Sequence, residues 1–238
     1  MLVKTNAIVL SKIKYRDHDL IVKCYTKNRG TVSYLLRGVL KSAKGNSKVA
    51  YYQLLSQLQI EERYRANQSL QNITEVKLDV VYKSLHTNVI KSSIVMFLSE
   101  ILSSVLKEEE ENLELYSYLE AALVWLDQDD DFSNFHLLFL LNLTKYLGFY
   151  PDTLQTNGTY FNLSTGHFES IKQNHSVSGE NLILLKRLLG IKFDELHAVK
   201  LSSKQRQSFL SMLLLYFELH LGDFRKPKSL AIFNQVFN

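Results

Sequence analysis

The chemistry this sequence suggests first is the neutralisation of a polyanion. Residues 36–48 contain two glycines and no acidic residue, and their four cations are Arg37, Lys41, Lys44 and Lys48. Lys and Arg side chains neutralise phosphate groups, and glycine allows a backbone to approach a ligand closely. The stretch therefore predicts a cationic loop that binds phosphate groups.

Further cations precede and follow this loop, and tyrosines are interleaved with them. Together with the four loop cations, the candidate nucleic-acid contacts are Lys12, Lys14, Arg16, Lys27, Arg29, Arg63 and Arg65, and Lys23 lies among them. The tyrosines are Tyr15, Tyr25, Tyr34, Tyr51, Tyr52 and Tyr64. Exposed rings stack on bases at roughly 1–3 kcal/mol each, so the combination favours single-stranded nucleic acid. The alternative is that half of the tyrosines are core and the lysines only keep the surface soluble.

Charge is distributed unevenly along the 238 residues. Residues 1–80 hold nine Lys and five Arg against six acidic residues, a net charge of +8, so the remaining residues carry −4 of the overall +4. A basic region attached to a more neutral body is typical of a nucleic-acid-binding module.

The elements that would position these cations are short strands. Apolar alternation predicts five of them, at residues 7–13, 20–26, 31–37, 49–64 and 69–76. Five short strands in a region of this size indicate a small barrel, of which the OB type is the usual nucleic-acid scaffold. An SH3-like barrel would give a similar pattern.

The apolar period changes from two to 3.6 near residue 80, which predicts an α-helical region. Helices are expected at residues 83–107, 113–126, 132–147, 182–189, 202–221 and 230–237. Turn residues interrupt the helical pattern at 152–181, which predicts a small irregular or β insert. The predicted class is α+β, with an OB-like nucleic-acid-binding barrel at 1–79 and a mostly α-helical domain at 80–238.

Signals of catalysis or metal binding are weak. Cys24 is the only cysteine, the seven His are scattered, and Walker A, GxGxxG, GxSxG and HExxH motifs are lacking. The acidic residues between Glu108 and Asp131 are expected to be a hydrated surface rather than a two-metal nuclease site. We therefore predict a protein without catalytic residues, cofactor or metal, and expect it to be soluble, cytoplasmic and nucleoid-associated, without a membrane segment.

Several segments, taken in order along the whole chain, carry a resemblance to a known family. They are residues 5–10, 14–19, 27–30, 36–39, 146–151, 160–168 and 228–230. In these segments the chain resembles the bacterial recombination mediator RecO family.

That resemblance implies an amino-terminal OB domain followed by a helical domain. It also implies binding of single- and double-stranded DNA, ATP-independent annealing of complementary strands, association with RecR, and recognition of the acidic carboxy-terminal tail of the single-strand DNA binding protein. These activities would help RecA load onto coated DNA during recombinational repair of gaps. Many members of the family carry a cysteine zinc module in the insert, but residues 152–181 contain no Cys, so no zinc is expected here.

The acidic tail of such a partner would need an apolar pocket with cations at its edge. The candidates in the helical region are Lys186, Arg187 and Arg206. Two other interpretations stay open: an adaptor whose basic barrel binds an acidic protein instead of DNA, and a metal-dependent nuclease that uses the acidic segment.

Overall fold

The computed structural model describes residues 2–41, 49–107 and 110–237. Two compact units are present: Met1–Gln128 with Pro227–Leu230, and Asp129–Lys226 with Ala231–Asn238. The expected α+β class is confirmed, because a five-stranded barrel is followed by helices with a few short strands.

The first unit contains a closed barrel with the strand order β1-β2-β3-β5-β4. Its strands are β1 (Leu2–Tyr15), β2 (Asp19–Thr26), β3 (Gly30–Leu36), β4 (Gln57–Arg63) and β5 (Leu70–Leu78). β1 is long enough to pair with β4 through its first half and with β2 through its second half, and a bulge between Val9 and Ser11 separates two registers of the β2 pairing. Because β1 pairs on both sides, the sheet closes.

Alternate residues of the strands fill the barrel. The core includes Ala7, Val9, Leu20, Val22, Cys24, Val32, Tyr34, Leu36, Tyr52, Leu58 and Ile60.

One predicted boundary was wrong: the fourth strand begins at Gln57 rather than at residue 49. Residues 50–56 contain two turns and no strand, and Leu55 has a φ of 58° with its amide bonded to the Val9 carbonyl, so this segment does not extend the sheet.

Two helices complete the first unit, α1 (Val89–Val105) and α2 (Leu113–Gln128). The sequence placed the start of α1 at residue 83, six residues too early. The Asn88 side chain accepts hydrogen bonds from the Ile90 and Lys91 amides and so caps the helix at its true start.

The second unit contains α3 (Phe135–Tyr146), α4 (Glu180–Leu188), a 3₁₀ helix (Phe193–Ala198), α5 (Ser203–His220) and most of α6 (Leu230–Val236). α3 is buried nearly all round and packs against α5. The predicted insert contains a three-stranded sheet of β6 (Tyr160–Asn162), β7 (His167–Glu169) and β8 (Ser176–Val177) in the order β7-β6-β8.

Apolar and aromatic contacts hold the insert. Phe161 packs against Phe168 at 5.0 Å between ring centroids and against Tyr216 of α5 at 5.7 Å. The ring of His220, also on α5, bonds to the Leu163 carbonyl at 2.9 Å.

Candidate nucleic-acid interface

One group of the predicted cations gathers at the barrel end that carries the β1–β2 turn. Lys12 and Lys14 are exposed near the end of β1, and Arg16 is exposed in the turn. The segment after β3 is bonded to this turn, since the Leu40 amide donates to the His18 carbonyl at 3.0 Å and the Gly38 amide to an Asp19 carboxylate oxygen at 2.8 Å.

These two hydrogen bonds bring the exposed side chains of Arg37 and Lys41 to the same end as the three cations of the hairpin. We call Lys12, Lys14, Arg16, Arg37 and Lys41 the hairpin cations. The predicted contacts Lys44 and Lys48 lie outside the described residues.

A second group lies at the other end of β2, about 25 Å away along the strand. It contains Lys27 and Arg29 in the β2–β3 turn, Arg63 at the end of β4, and Arg65 after it. Arg63 and Arg65 are exposed and Lys27 is half-buried, with its ammonium 6.0 Å from the centroid of the Tyr116 ring. The nine predicted contacts that the structure describes therefore do not form one cluster.

Arg29 is engaged inside its own unit. Its guanidinium forms an ion pair with Glu62, whose side chain is 0% exposed, and lies over the Tyr64 ring at 4.1 Å from the centroid. Arg29 is thus held between a buried carboxylate and an aromatic ring. These contacts stabilise this end of the barrel and leave the guanidinium poorly placed to bind a phosphate.

Lys23 also has a structural role that the sequence did not reveal. Its ammonium donates to the carbonyls of Ser103 at 3.2 Å and Leu106 at 3.4 Å, and the Thr31 hydroxyl donates to Leu106 at 3.0 Å. Burial, with a smaller contribution from the charge of Lys107, lowers the pKa of Lys23 below its ordinary value. Two barrel strands thus cap the carboxyl end of α1, where the helix dipole favours a cation.

The barrel tyrosines separate into core and surface. Tyr25, Tyr34 and Tyr52 are buried, whereas Tyr15 and Tyr51 are each 36% exposed. Tyr25 stacks on Tyr116 of α2 at 6.2 Å between ring centroids. Base stacking by the tyrosines of this set is thus restricted mainly to Tyr15 and Tyr51.

Asp127, in the acidic region, has a structural role. Asp127 is buried, and its carboxylate accepts hydrogen bonds from the amides of Lys83, Ser84 and Leu85 at 2.8–2.9 Å. Burial alone would raise the pKa of Asp127, but these backbone bonds outweigh it and hold the pKa below its ordinary value. The expectation of a hydrated surface was wrong for this residue. Among the described residues, no three His, Cys, Asp or Glu side chains are grouped so as to hold a metal ion.

The three partner-tail candidates bind backbone carbonyls within the second unit. Lys186 donates to Gly158 at 2.9 Å, Arg187 to Ala198, and Arg206 to Leu201 at 2.8 Å. Lys186 also lies 5.4 Å from the centroid of the Phe168 ring. The three cations are thus bonded to different segments.

Comparison with known proteins agrees with this architecture over nearly the whole chain. Residues 1–80 match the family model for the recombination protein O amino terminus, and residues 86–231 match the one for its carboxy terminus. The chain belongs to the RecO family. Relatives that span the full length of both chains include the DNA repair protein RecO of Christiangramia forsetii at 47% identity, of Flavobacterium johnsoniae at 44% and of Phocaeicola vulgatus at 36%.

Membership of the RecO family confirms the resemblance that the sequence motifs indicated. Within the described part of the chain, no helix combines the length and apolar character needed to cross a membrane.

Proposed function

We propose that this chain is a DNA-binding recombination mediator that acts in DNA repair. Its assignment to the RecO family and the names of its full-length relatives support the repair role. The DNA-binding part of this proposal rests on one observation: five exposed cations lie together at one end of a closed barrel.

The proposed activity is ATP-independent annealing of complementary strands. Two strands repel each other through their phosphates, and a cationic surface that contacts both lowers this repulsion without nucleotide hydrolysis. By the same binding, the protein would help RecA replace the single-strand DNA binding protein on gapped DNA.

The decisive experiment measures annealing of complementary strands coated by the single-strand DNA binding protein, without ATP, at 50 and 200 mM salt. We expect the protein to accelerate annealing, and to do so less at the higher salt concentration. Equal rates with and without the protein at both salt concentrations would refute the proposal.

At residue level, we propose that the hairpin cations neutralise phosphates together with Lys44 and Lys48, and that Lys27, Arg63 and Arg65 extend the contact. Engagement of five phosphates predicts a slope of roughly −3.5 for log K against log salt on single strands, which is about a hundredfold loss of affinity between 50 and 200 mM. We assign Arg29 to the barrel structure instead.

The loop contribution is tested with a variant in which Glu replaces all four of Arg37, Lys41, Lys44 and Lys48. We expect a large loss of affinity and a shallower salt slope. A control with equal charge change replaces Lys172, Lys192, Lys200 and Lys204, which are exposed in the second unit, and should leave both quantities near the wild-type values. Unchanged affinity and slope in the loop variant would contradict the assignment.

We further propose that residues 1–79 bind DNA, that residues 80–238 bind the acidic tail of the single-strand DNA binding protein, and that the chain associates with RecR. Lys186, Arg187 and Arg206 are the candidate tail contacts. A tail peptide should bind a variant with all three replaced by Ala more weakly than the wild type, and equal binding would remove them from the tail site.

A further inference from the structure

An apolar row crosses three neighbouring strands on the outside of the barrel. Ile13 of β1 pairs with Ile21 of β2, which pairs in turn with Leu35 of β3. Partners directly opposite in antiparallel strands project from the same face. Because Leu20, Val22 and Leu36 are in the barrel core, Ile21 and Leu35 point outward.

This row is accessible to a ligand. Ile13 is 59% exposed, and Ile21 and Leu35 are half-buried. Tyr15, two residues beyond Ile13 on the same strand, continues the row and is 36% exposed. We call Ile13, Tyr15, Ile21 and Leu35 the outer row.

One cation lies beside the outer row, and two more lie on the opposite face of the same hairpin. The guanidinium of Arg16 lies 5.2 Å from the centroid of the Tyr15 ring. Lys12 and Lys14 alternate with Ile13 and Tyr15 along β1 and pair with the core residues Val22 and Leu20, so they project from the other side of the ribbon. The hairpin therefore has an apolar side and a cationic side within two strands.

An unpaired nucleotide combines the two properties that this arrangement matches. It has a flat apolar base that stacks on aromatic and aliphatic side chains, and a phosphate that binds nearby cations. In a duplex the base faces are stacked on one another and are hidden, so a duplex could use only the cations.

We propose that the outer row is a stacking platform for the unpaired bases of a single strand, and that it makes the protein distinguish single strands from duplex DNA. The inference rests on the proposed DNA binding and adds to it the residues that contact bases. The hairpin cations hold the backbone on any DNA, whereas Ile13 and Tyr15 respond only to exposed bases.

The test separates base contacts from phosphate contacts by using three probes. Binding of oligo-dT, of an abasic oligomer with the same number of phosphates, and of a duplex is measured for the wild type, for Tyr15→Phe and for the double variant Ile13→Ser with Tyr15→Ala. Both replaced side chains are exposed, so the barrel core is unchanged in every variant.

We expect the double variant to bind oligo-dT at least about fivefold more weakly than the wild type, since one stacked base contributes between roughly fivefold and a hundredfold in affinity. Its affinity for the abasic oligomer and for the duplex, and its salt slope, should be unchanged. Tyr15→Phe keeps the ring and should match the wild type.

Wild-type affinity of the double variant for oligo-dT would overturn the inference, as would an equal loss on all three probes. If the wild type binds oligo-dT and the abasic oligomer equally well and in a salt-dependent manner, the platform is refuted while DNA binding stands. If it binds none of the probes, the proposed function itself fails, and a protein segment or a second copy of the chain becomes the occupant of the outer row.

Discussion

Replacing only one of Arg29 and Glu62 should destabilise the barrel more than replacing both. Breaking a buried ion pair by removing one partner typically costs 3–5 kcal/mol, because the other charge is left in a poorly hydrated site. The two sides differ here: the Glu62 side chain is 0% exposed, whereas that of Arg29 is 21% exposed and rests on Tyr64.

The exposure difference sets the order of the effects. Arg29→Met leaves a carboxylate without contact to water, so we expect a loss near the upper end of that range, about 5 kcal/mol in the free energy of unfolding. Glu62→Gln leaves a guanidinium that still reaches solvent, so we expect about 3 kcal/mol. The double variant Arg29→Met with Glu62→Leu removes both charges and should recover most of the loss.

Urea unfolding followed by tryptophan fluorescence measures this. Trp125 is the only tryptophan and lies in α2, in the same unit as the barrel, so its emission reports on that unit. Arg63→Met is the matched control, because Arg63 is an exposed cation next to Glu62 and its loss should change stability by less than about 0.5 kcal/mol.

One pair of results would contradict this expectation. If Arg29→Met unfolds like the wild type but reduces the salt slope of single-strand binding by about 0.7, then Arg29 contacts a phosphate and the ion pair contributes little.

Three more perturbations test other parts of the structure. Burial, with the charge of Arg206, lowers the pKa of His136 from 6.5 to about 3. As pH falls, His136 is therefore protonated in the unfolded chain near pH 6.5 but in the folded chain only near pH 3, which favours unfolding. The free energy of unfolding should fall by about 2 kcal/mol from pH 8 to pH 5, and by much less in His136→Leu. Urea titrations at both pH values measure this. Lys23→Met should cost about 1–2 kcal/mol by the same fluorescence assay while DNA affinity stays at the wild-type value; a drop in affinity would mean that Lys23 contacts DNA. Gly158→Ala would place a Cβ in steric overlap with the Glu169 backbone, so thermal unfolding followed by circular dichroism should show a loss of about 1–3 kcal/mol in the free energy of unfolding, whereas Gly222→Ala, with open space around it, should show almost none.

The sequence predicted the elements well where a periodic pattern coincided with local turn or capping residues. β2 and β3 were predicted within one residue of their observed bounds, because apolar alternation is flanked by the turn that ends at Gly30. The bounds of α5 were also predicted within one residue, and Ser202 caps this helix by accepting a hydrogen bond from the Gln205 amide within its own turn.

Errors arose where distant residues determine local structure. Asp127 binds the amides of residues 83–85, which therefore precede α1 instead of forming its first turn. Even the nearest of these partners, Leu85, is 42 residues from Asp127 in the sequence. Likewise Glu62 and Arg29 meet only because the barrel closes, so Arg29 had the same signature as any cation in a turn. The sequence named the hairpin cations as candidates but did not show that they lie at one barrel end, and it could not reveal the outer row, because that row depends on strand register, which alternation alone does not give.

The capping of α1 by the barrel has a consequence for dissecting the protein. A fragment that ends at residue 79 would lose the carbonyls that Lys23 and Thr31 bind and the ring on which Tyr25 stacks. It would also lose the Glu120 carbonyl that accepts a hydrogen bond from the buried Gln57 side chain. DNA binding measured on such a truncated barrel would thus include newly exposed surface that the intact chain covers, whereas a fragment that ends after Gln128 keeps these contacts.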